Sequence, residues 1–148
     1  MRAVVQRVKY AKLSVNGEVV SQINSGLLIL LGVGVNDTQK EALYIADKLA
    51  KLRIFEDENG KMNLSAVQVN AEFLLVSNFT LYGDTKGSNR PSFILSARPE
   101  QAEPLYNLVA SKLNEQVPTQ TGIFGAEMFI DMCADGPTTI LIDTNSEV

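Results

Sequence analysis

The chain has 148 residues, of which 45% are hydrophobic and 20% charged, a composition typical of one soluble globular domain, so we expect residues 1–148 to form a single domain. It contains one cysteine, Cys133, and no histidine, which excludes an internal disulfide, a Cys/His zinc site and any triad or general base built on imidazole. The net charge of −4 excludes a protein whose whole surface attracts nucleic acid.

The opening segment predicts strands. Residues 3–8 are rich in β-forming side chains, and residues 13–15 and 19–23 flank Asn16-Gly17, a dipeptide that favours a two-residue hairpin turn. Residues 27–31 (LLILL) are apolar at every position, which is typical of a central strand covered on both faces.

A helix is predicted next. Thr38 and Glu41 have the spacing of a capping box, and the apolar positions that follow lie on one helical face, so the helix should end near Leu52. Residues 61–70 are polar and irregular and remain unassigned. Residues 72–76 (EFLLV) predict a second buried strand.

The last third of the chain predicts one more helix and two strands. Pro99 suits the first turn of a helix, and Pro118 closes it. Residues 123–132 and 138–143 predict strands that are interrupted by residues 134–137. This order predicts an α+β fold, with a mixed, largely antiparallel, barrel-like sheet flanked by two main helices.

Two segments qualify only weakly as functional motifs. Gly32-Val33-Gly34 follows a buried strand, as in a dinucleotide-binding turn, but the third glycine of that motif would fall at Asp37, whose charge repels a pyrophosphate. We therefore expect a strand-to-helix turn capped by Asp37 or Thr38. Cys133 lies in no visible cationic or helix-N-terminal setting, which predicts no thiolate chemistry, and we expect a small buried side chain there.

Residues 77–80 (SNFT) place polar groups at the end of a buried strand, where binding sites are common. Without histidine, a Thr80 nucleophile would need Asp84, Asp135 or Lys86 as its base. A structural role in the strand is the alternative. The later Gly136-Pro137 pair predicts either an ordinary turn or a cis peptide bond that presents backbone carbonyls to one side.

The positive charges are unevenly distributed. Residues 1–12 and 85–99 contain basic side chains and no acid; these are Arg2, Arg7, Lys9 and Lys12, then Lys86, Arg90 and Arg98. Charge pattern alone favours ordinary solvated faces, and two local basic surfaces are the alternative. The first ten residues lack the apolar core of a secretory signal, and residues 27–35 are too few to span a bilayer, which predicts a cytoplasmic protein without a membrane partner.

Several motifs taken together are more specific. Residues 77–84 (SNFTLYGD), 89–93 (NRPSF), 124–128 (FGAEM) and 135–137 (DGP) resemble, in this order, the motifs of the D-aminoacyl-tRNA deacylase family. Residues 1–8 (MRAVVQRV) resemble the first strand of that family. The likeness extends over essentially the whole chain.

The resemblance implies a cytoplasmic homodimer that hydrolyses the ester between a D-amino acid and the 3′-terminal adenosine of tRNA, with glycyl-tRNA as a further substrate and with no cofactor or metal. It implies that a Gly-cisPro loop enters the pocket of the partner subunit and excludes L-amino acids. The implied catalytic residues are Phe79 and Thr80. The implied substrate-binding residues are Arg7, Ser77, Asn78, Phe124, Met128, Gly136 and Pro137, with Arg7 bracing the loop.

This chemistry is compatible with the missing histidine, because an aminoacyl ester is already activated and a ribose 2′-OH can help to orient water. Backbone N–H groups near Phe79 and Thr80 would then stabilise the oxyanion. The chain departs from the family pattern at Asn78 (usually Gln), Ala134 (usually Asn) and Thr138 (often Val). A Thr80-nucleophile esterase and a non-catalytic module that binds the end of tRNA are the alternative functions.

Overall fold

The computed structural model describes residues 1–145, so the last three residues of the predicted domain lie outside the described part. Within these described residues, eight strands and two α-helices follow one another, with a short 3₁₀ turn at Phe79–Tyr82. The strands are β1 (Arg2–Val15), β2 (Glu18–Ile23), β3 (Gly26–Gly32), β4 (Phe55–Glu56), β5 (Met62–Leu64), β6 (Glu72–Ser77), β7 (Thr119–Thr121) and β8 (Phe129–Asp143). The helices are α1 (Gln39–Lys51) and α2 (Pro99–Asn114).

The main sheet is organised around β1. Its strand order is β2-β1-β3-β6-β7, and β8 pairs with β1 along almost its whole length. The pairs of β1 with β2, β3 and β8 are antiparallel, whereas β3–β6 and β6–β7 are parallel. The outer strands approach each other, since the backbone N–H of Gln22 on β2 donates to Oε1 of Gln120 on β7 at 3.1 Å. The mixed, nearly closed, barrel-like sheet and the two helices confirm the predicted fold class.

The local signals in the first half of the chain are confirmed. Asn16 and Gly17 both have positive φ, 51° and 79°, as a two-residue hairpin turn requires. Thr38 caps α1 in a complete capping box with Glu41, and α1 ends at Lys51 with Leu52 as its C-cap. The turn at Asn16 and the cap at Thr38 are encoded within a few residues, which is why the sequence predicts them well.

The core lies on both faces of the sheet. Leu27, Ile29 and Leu31 of β3 pack against α1 and α2, while Leu28 belongs to a second apolar cluster on the opposite face. Strand β6 alternates in the same way, with Phe73 and Leu75 toward the helices and Leu74 and Val76 away from them. Burial on both faces explains the unbroken apolar runs of these two strands.

The C-terminal region differs from its prediction. Residues 123–128 form a loop with a turn at 124–125 rather than a strand, and the sequence does not predict the short strands β4, β5 and β7. Residues 129–143 form one strand instead of two. Its pairing with β1 moves from Val8↔Ala134 to Gln6↔Thr139, so residues 135–138 bulge outward opposite Arg7 alone. Cys133 was expected to be buried, but it is exposed, because alternation along β8 turns it outward.

None of the helices within residues 1–145 is both long enough and apolar enough to cross a membrane.

Candidate functional site

A cavity of about 530 Å³ opens where three neighbouring parallel strands end. Strands β3, β6 and β7 run in the same direction, so their carboxyl ends meet at one edge of the sheet, and the residues after each end face a common space. The start of α2 closes the remaining side. The lining residues are Val33, Ser77, Asn78, Phe79, Phe93, Ser96, Ala97, Arg98, Pro99, Ala102, Phe124, Gly125, Ala126 and Met128.

Asn78 organises the polar side of the cavity. It caps the 3₁₀ turn, and its Oδ1 accepts hydrogen bonds from the Thr80 backbone N–H at 3.2 Å and from the Thr80 hydroxyl. The Asn78 side-chain NH₂ and the Phe79 backbone N–H donate to no atom among residues 1–145. Two donor groups therefore remain available to a ligand, whereas the N–H of Thr80 is already bound.

Aromatic rings form the apolar side. Phe79 is 56% exposed, and its ring meets the Phe93 ring edge-on at 5.0 Å between centroids. Phe124 lies 5.8 Å from the ring of Tyr106, whose hydroxyl donates to the Leu75 carbonyl at 2.8 Å. Burial raises the pKa of the Tyr106 hydroxyl above its usual value, so this group stays protonated and fixes the Phe124 wall rather than acting as a base.

The structure brings together five of the predicted site residues. Ser77, Asn78, Phe79, Phe124 and Met128 all line the cavity. Thr80 does not line it, although it is bound to Asn78 next to the opening. The sequence reasoning missed the wall that residues 96–99 and Ala102 contribute. Pro99 was the signal that could have located this wall, because it marks the start of α2. A helix that starts at the edge of a sheet faces the same space as the strand ends.

Arg7, Gly136 and Pro137 lie elsewhere. Arg7 is only 6% exposed; its Nη1 donates to the Ile54 carbonyl at 2.7 Å, and its Nε lies 3.3 Å from Asp135 Oδ2 without hydrogen-bonding geometry. The Gly136–Pro137 peptide bond is cis, as predicted, and both residues are exposed on the bulge of β8. The guanidinium of Arg7 thus lies beside the Gly-Pro loop, but neither reaches the cavity of its own chain.

The Gly32–Gly34 segment has a structural role. Asp37 is buried, and its carboxylate accepts from the N-terminal ammonium of Met1 at 2.7 Å, from the Gly34 N–H at 2.6 Å and from the Tyr82 hydroxyl at 3.3 Å. A Cβ on Gly34 would lie 2.7 Å from the Tyr82 oxygen. Asp37 therefore anchors the turn and the N-terminus, while Thr38 alone caps the helix.

The two basic segments behave differently. Every cation of residues 1–12 faces an acid: the ion pairs are Arg2–Asp143, Arg7–Asp135, Arg7–Glu56, Lys9–Asp135 and Lys12–Asp131. By contrast, Lys86, Arg90 and Arg98 form no ion pair with any described residue. The first segment is thus paired with acids of β8 and with Glu56, whereas the second segment is paired with no acid among residues 1–145 and contributes Arg98 to the cavity.

Residues 1–145 contain no group of three or more Cys, Asp or Glu side chains arranged to hold a metal ion.

Comparison with known proteins assigns the chain to a family. A sequence model described as D-Tyr-tRNA(Tyr) deacylase matches residues 4–143. The D-aminoacyl-tRNA deacylase of Brevibacillus brevis is 51% identical over 145 residues, which cover 97% of this chain and 100% of the relative. That of Thermus aquaticus is 48% identical over 148 residues, covering 99% and 97%.

Solved structures share the fold of this chain. The structure titled c-Myc DNA Unwinding Element Binding Protein superposes with a TM-score of 0.93 at 40% identity, covering 99% of this chain and 100% of that one. A probable eukaryotic D-amino acid tRNA deacylase shares the fold, with a TM-score of 0.81 at 16% identity over 95% of this chain and 97% of the other. The chain therefore belongs to the D-Tyr-tRNA(Tyr) deacylase family, which confirms the resemblance seen in its sequence motifs.

Proposed function

We propose that this chain hydrolyses the ester bond between a D-amino acid and the 3′-terminal adenosine of tRNA. Membership of the family makes it a hydrolase that acts on ester bonds, a D-aminoacyl-tRNA deacylase. The observation that carries the proposal is the cavity at the strand ends, where the free donors of Asn78 and Phe79 lie beside aromatic walls. Such walls suit an adenine ring, and the donors suit an ester carbonyl.

The reaction needs no strong side-chain base. Water attacks the ester carbonyl carbon, and negative charge develops on the carbonyl oxygen, where the Phe79 N–H and the Asn78 NH₂ donate hydrogen bonds. The C–O3′ bond then breaks, the 3′-oxygen takes up the proton that the water has lost, and the free D-amino acid leaves. The ribose 2′-OH orients the water or relays this proton. Glycyl-tRNA, which has no side chain on either face, is a further substrate.

Thr80 is a poor candidate for a covalent nucleophile. Its hydroxyl donates to the Asn78 amide oxygen, which is not a base, and Asp84 uses one carboxylate oxygen to accept from the backbone N–H of Lys86 at 2.9 Å. We assign Thr80 to positioning Asn78. In this arrangement, the Thr80 hydroxyl turns the Asn78 oxygen away and leaves its NH₂ for the substrate.

We further propose that the functional unit is a homodimer. Gly136 and Pro137 lie away from the cavity of their own chain, so a loop that filters chirality would act in the cavity of a second copy. Large apolar side chains are exposed and could cover each other across a two-fold interface, with Ile94 at 82%, Leu141 at 68% and Phe129 at 63%. We place the reaction in the cytoplasm, with aminoacyl-tRNA as the substrate that the dimer binds.

Hydrolysis of D-Tyr-tRNA and L-Tyr-tRNA at equal concentrations tests the function directly. We expect rapid loss of the D-ester and an intact L-ester. Comparable loss of both esters would refute the chiral filter, whereas tight binding without turnover would indicate a non-catalytic tRNA-end-binding module. Mass spectrometry of quenched reactions would reveal an acyl group on Thr80 if that residue were the nucleophile. Sedimentation of a fully active 16.2 kDa monomer would refute the dimer.

The donor role of Asn78 has a specific test. Asn78→Asp keeps an oxygen for Thr80 but replaces the NH₂ donor by a carboxylate oxygen. Since removal of one oxyanion donor costs about 10²–10³ in kcat, a loss of that size is expected. Asn89→Asp makes the same chemical change on an exposed residue outside the cavity and serves as the control. A kcat for Asn78→Asp equal to that of Asn89→Asp would contradict the assignment.

A further inference from the structure

Arg98 is the only charged side chain among the described residues that line the cavity. All the other lining residues are apolar or neutral. The Arg98 side chain is exposed, and it forms neither a hydrogen bond nor an ion pair with any residue between 1 and 145. A guanidinium offers five donors in a planar fork that matches phosphate oxygens, so an unpaired one at a cavity rim is suited to an anionic ligand.

Local structure gives Arg98 no stabilising purpose. It occupies the N-cap position of α2, where a short polar side chain would accept a hydrogen bond from the first turn, and it makes no such bond. Its positive charge also meets the positive end of the helix dipole, an unfavourable placement. Residues that break a local preference without a local gain are expected at functional sites.

The backbone around Arg98 is firmly held. The Ala97 N–H donates to the Val33 carbonyl at 2.9 Å, and the Arg98 carbonyl accepts from the N–H groups of Gln101 and Ala102 at 3.0 and 2.8 Å. Val33 follows β3, and Ala102 belongs to α2. The guanidinium thus extends from a backbone fixed to both the sheet and the helix, which confines it to this rim of the cavity.

Resting on the proposed function, we propose that Arg98 binds the 5′-phosphate of the terminal adenosine and thereby sets the direction in which the substrate lies. The end of an aminoacyl-tRNA carries two opposite charges, the α-ammonium of the amino acid and the phosphodiester on the other side of the ribose. Arg98 repels the first and attracts the second. The aminoacyl group therefore lies toward Asn78 and Phe79, and the rest of the tRNA leaves past the start of α2.

Kinetics on two substrates test this inference. Arg98→Gln removes the charge at similar size, Arg98→Lys retains it, and Lys112→Gln removes a charge from the other end of α2, about 21 Å away along the helix at 1.5 Å per residue. The substrates are D-Tyr-tRNA and 3′-O-D-tyrosyl-adenosine, which lacks the phosphate. For the tRNA substrate, we expect Arg98→Gln to raise KM on the order of tenfold, with little change in kcat, as for the loss of one charge-assisted contact.

Four further results are expected. The loss in kcat/KM should be at least several-fold larger on the tRNA than on the adenosine ester. The slope of log KM against log salt should fall by about 0.7, the value for one phosphate of a single strand. Arg98→Lys should recover most of the affinity, and Lys112→Gln should leave KM unchanged.

Equal losses by Arg98→Gln on both substrates, an unchanged salt slope or an unchanged KM would each overturn the assignment of Arg98. A wild-type protein that hydrolyses neither substrate would instead refute the proposed function, and the inference would fall with it. The wild-type reaction thus separates the two failures.

Discussion

Replacement of Asp37 by Asn should destabilise the protein strongly. The Met1 ammonium and the Asp37 side chain are almost fully buried, at 0% and 1% exposure. One carboxylate oxygen accepts from Met1, and the other accepts from Gly34 and Tyr82. Asn has a single acceptor oxygen, so its NH₂ group would face one of these donors. Asn is also neutral, so the buried Met1 ammonium would lose its counter-charge.

Breaking a buried ion pair by removing one partner costs about 3–5 kcal/mol. A domain of this kind has a total free energy of unfolding of about 5–15 kcal/mol, so Asp37→Asn should remove about a fifth of it or more. Asp47→Asn is the matched control, because Asp47 pairs with Lys51 at 2.6 Å on the surface of α1, with exposures of 57% and 69%. Exposed helical pairs of this type contribute only about 0.3–0.5 kcal/mol.

Urea unfolding at neutral pH would measure both variants, with any affinity tag placed at the C-terminal end so that the Met1 ammonium stays free. Repeating the titrations in about 1 M salt adds a second readout, because salt screens exposed charges much more than buried ones. We expect the Asp37→Asn deficit to persist in salt and the small Asp47→Asn deficit to vanish. A loss below about 1 kcal/mol for Asp37→Asn, or one that salt abolishes, would refute this account of the N-terminal anchor.

Three further substitutions probe the site and the fold. Thr80→Ala should keep kcat within about a hundredfold in a deacylation assay, since removal of a true covalent nucleophile costs about a millionfold in serine proteases; loss of all turnover in a folded protein would contradict this. Gly136→Ala should lower kcat/KM for D-aminoacyl-tRNA, because φ is +125° and the new Cβ would lie 2.6 Å from Thr138 Oγ1. Gly87→Ala, where the new Cβ has no heavy atom within 4 Å, should have no effect. Equal activities of the two variants would refute this role of Gly136. Thr38→Ala should lose about 1 kcal/mol in thermal or urea unfolding, since it removes the α1 cap, and an unchanged midpoint would contradict that role.

The sequence predicts best what is encoded over a few residues. The hairpin at Asn16-Gly17, the capping box at Thr38 and the start of α2 at Pro99 each depend on neighbouring side chains and are confirmed. Short strands such as β7 have too few residues to show a periodicity, and they exist because β6 offers them a partner. That placement of β7 is what brings residues 122–128 to the cavity.

Long-range pairings account for what the sequence could not predict. The family motifs located one side of the cavity. Arg98 is held at the other side by backbone hydrogen bonds between segments far apart in the chain, such as the one from Ala97 to Val33. In the same way, the sequence left open whether Lys12 belongs to a basic surface, and the pairing of β1 with β8 places Asp131 beside it. Charge counted along a sequence does not reveal which charges meet across a sheet.

The pairing of β1 with β8 has a consequence for biosynthesis. Arg2 is paired with Asp143, so the ladder between these strands joins residues made early on the ribosome to residues made much later. Until β8 emerges, β1 has β2 and β3 on one edge and nothing on the other, so its polar backbone groups and the apolar residues behind them stay uncovered. The barrel is completed only after synthesis of residue 143, and contacts over such sequence separations form slowly. Until then, the nascent chain depends on a chaperone or the ribosome surface to shield the open edge of β1.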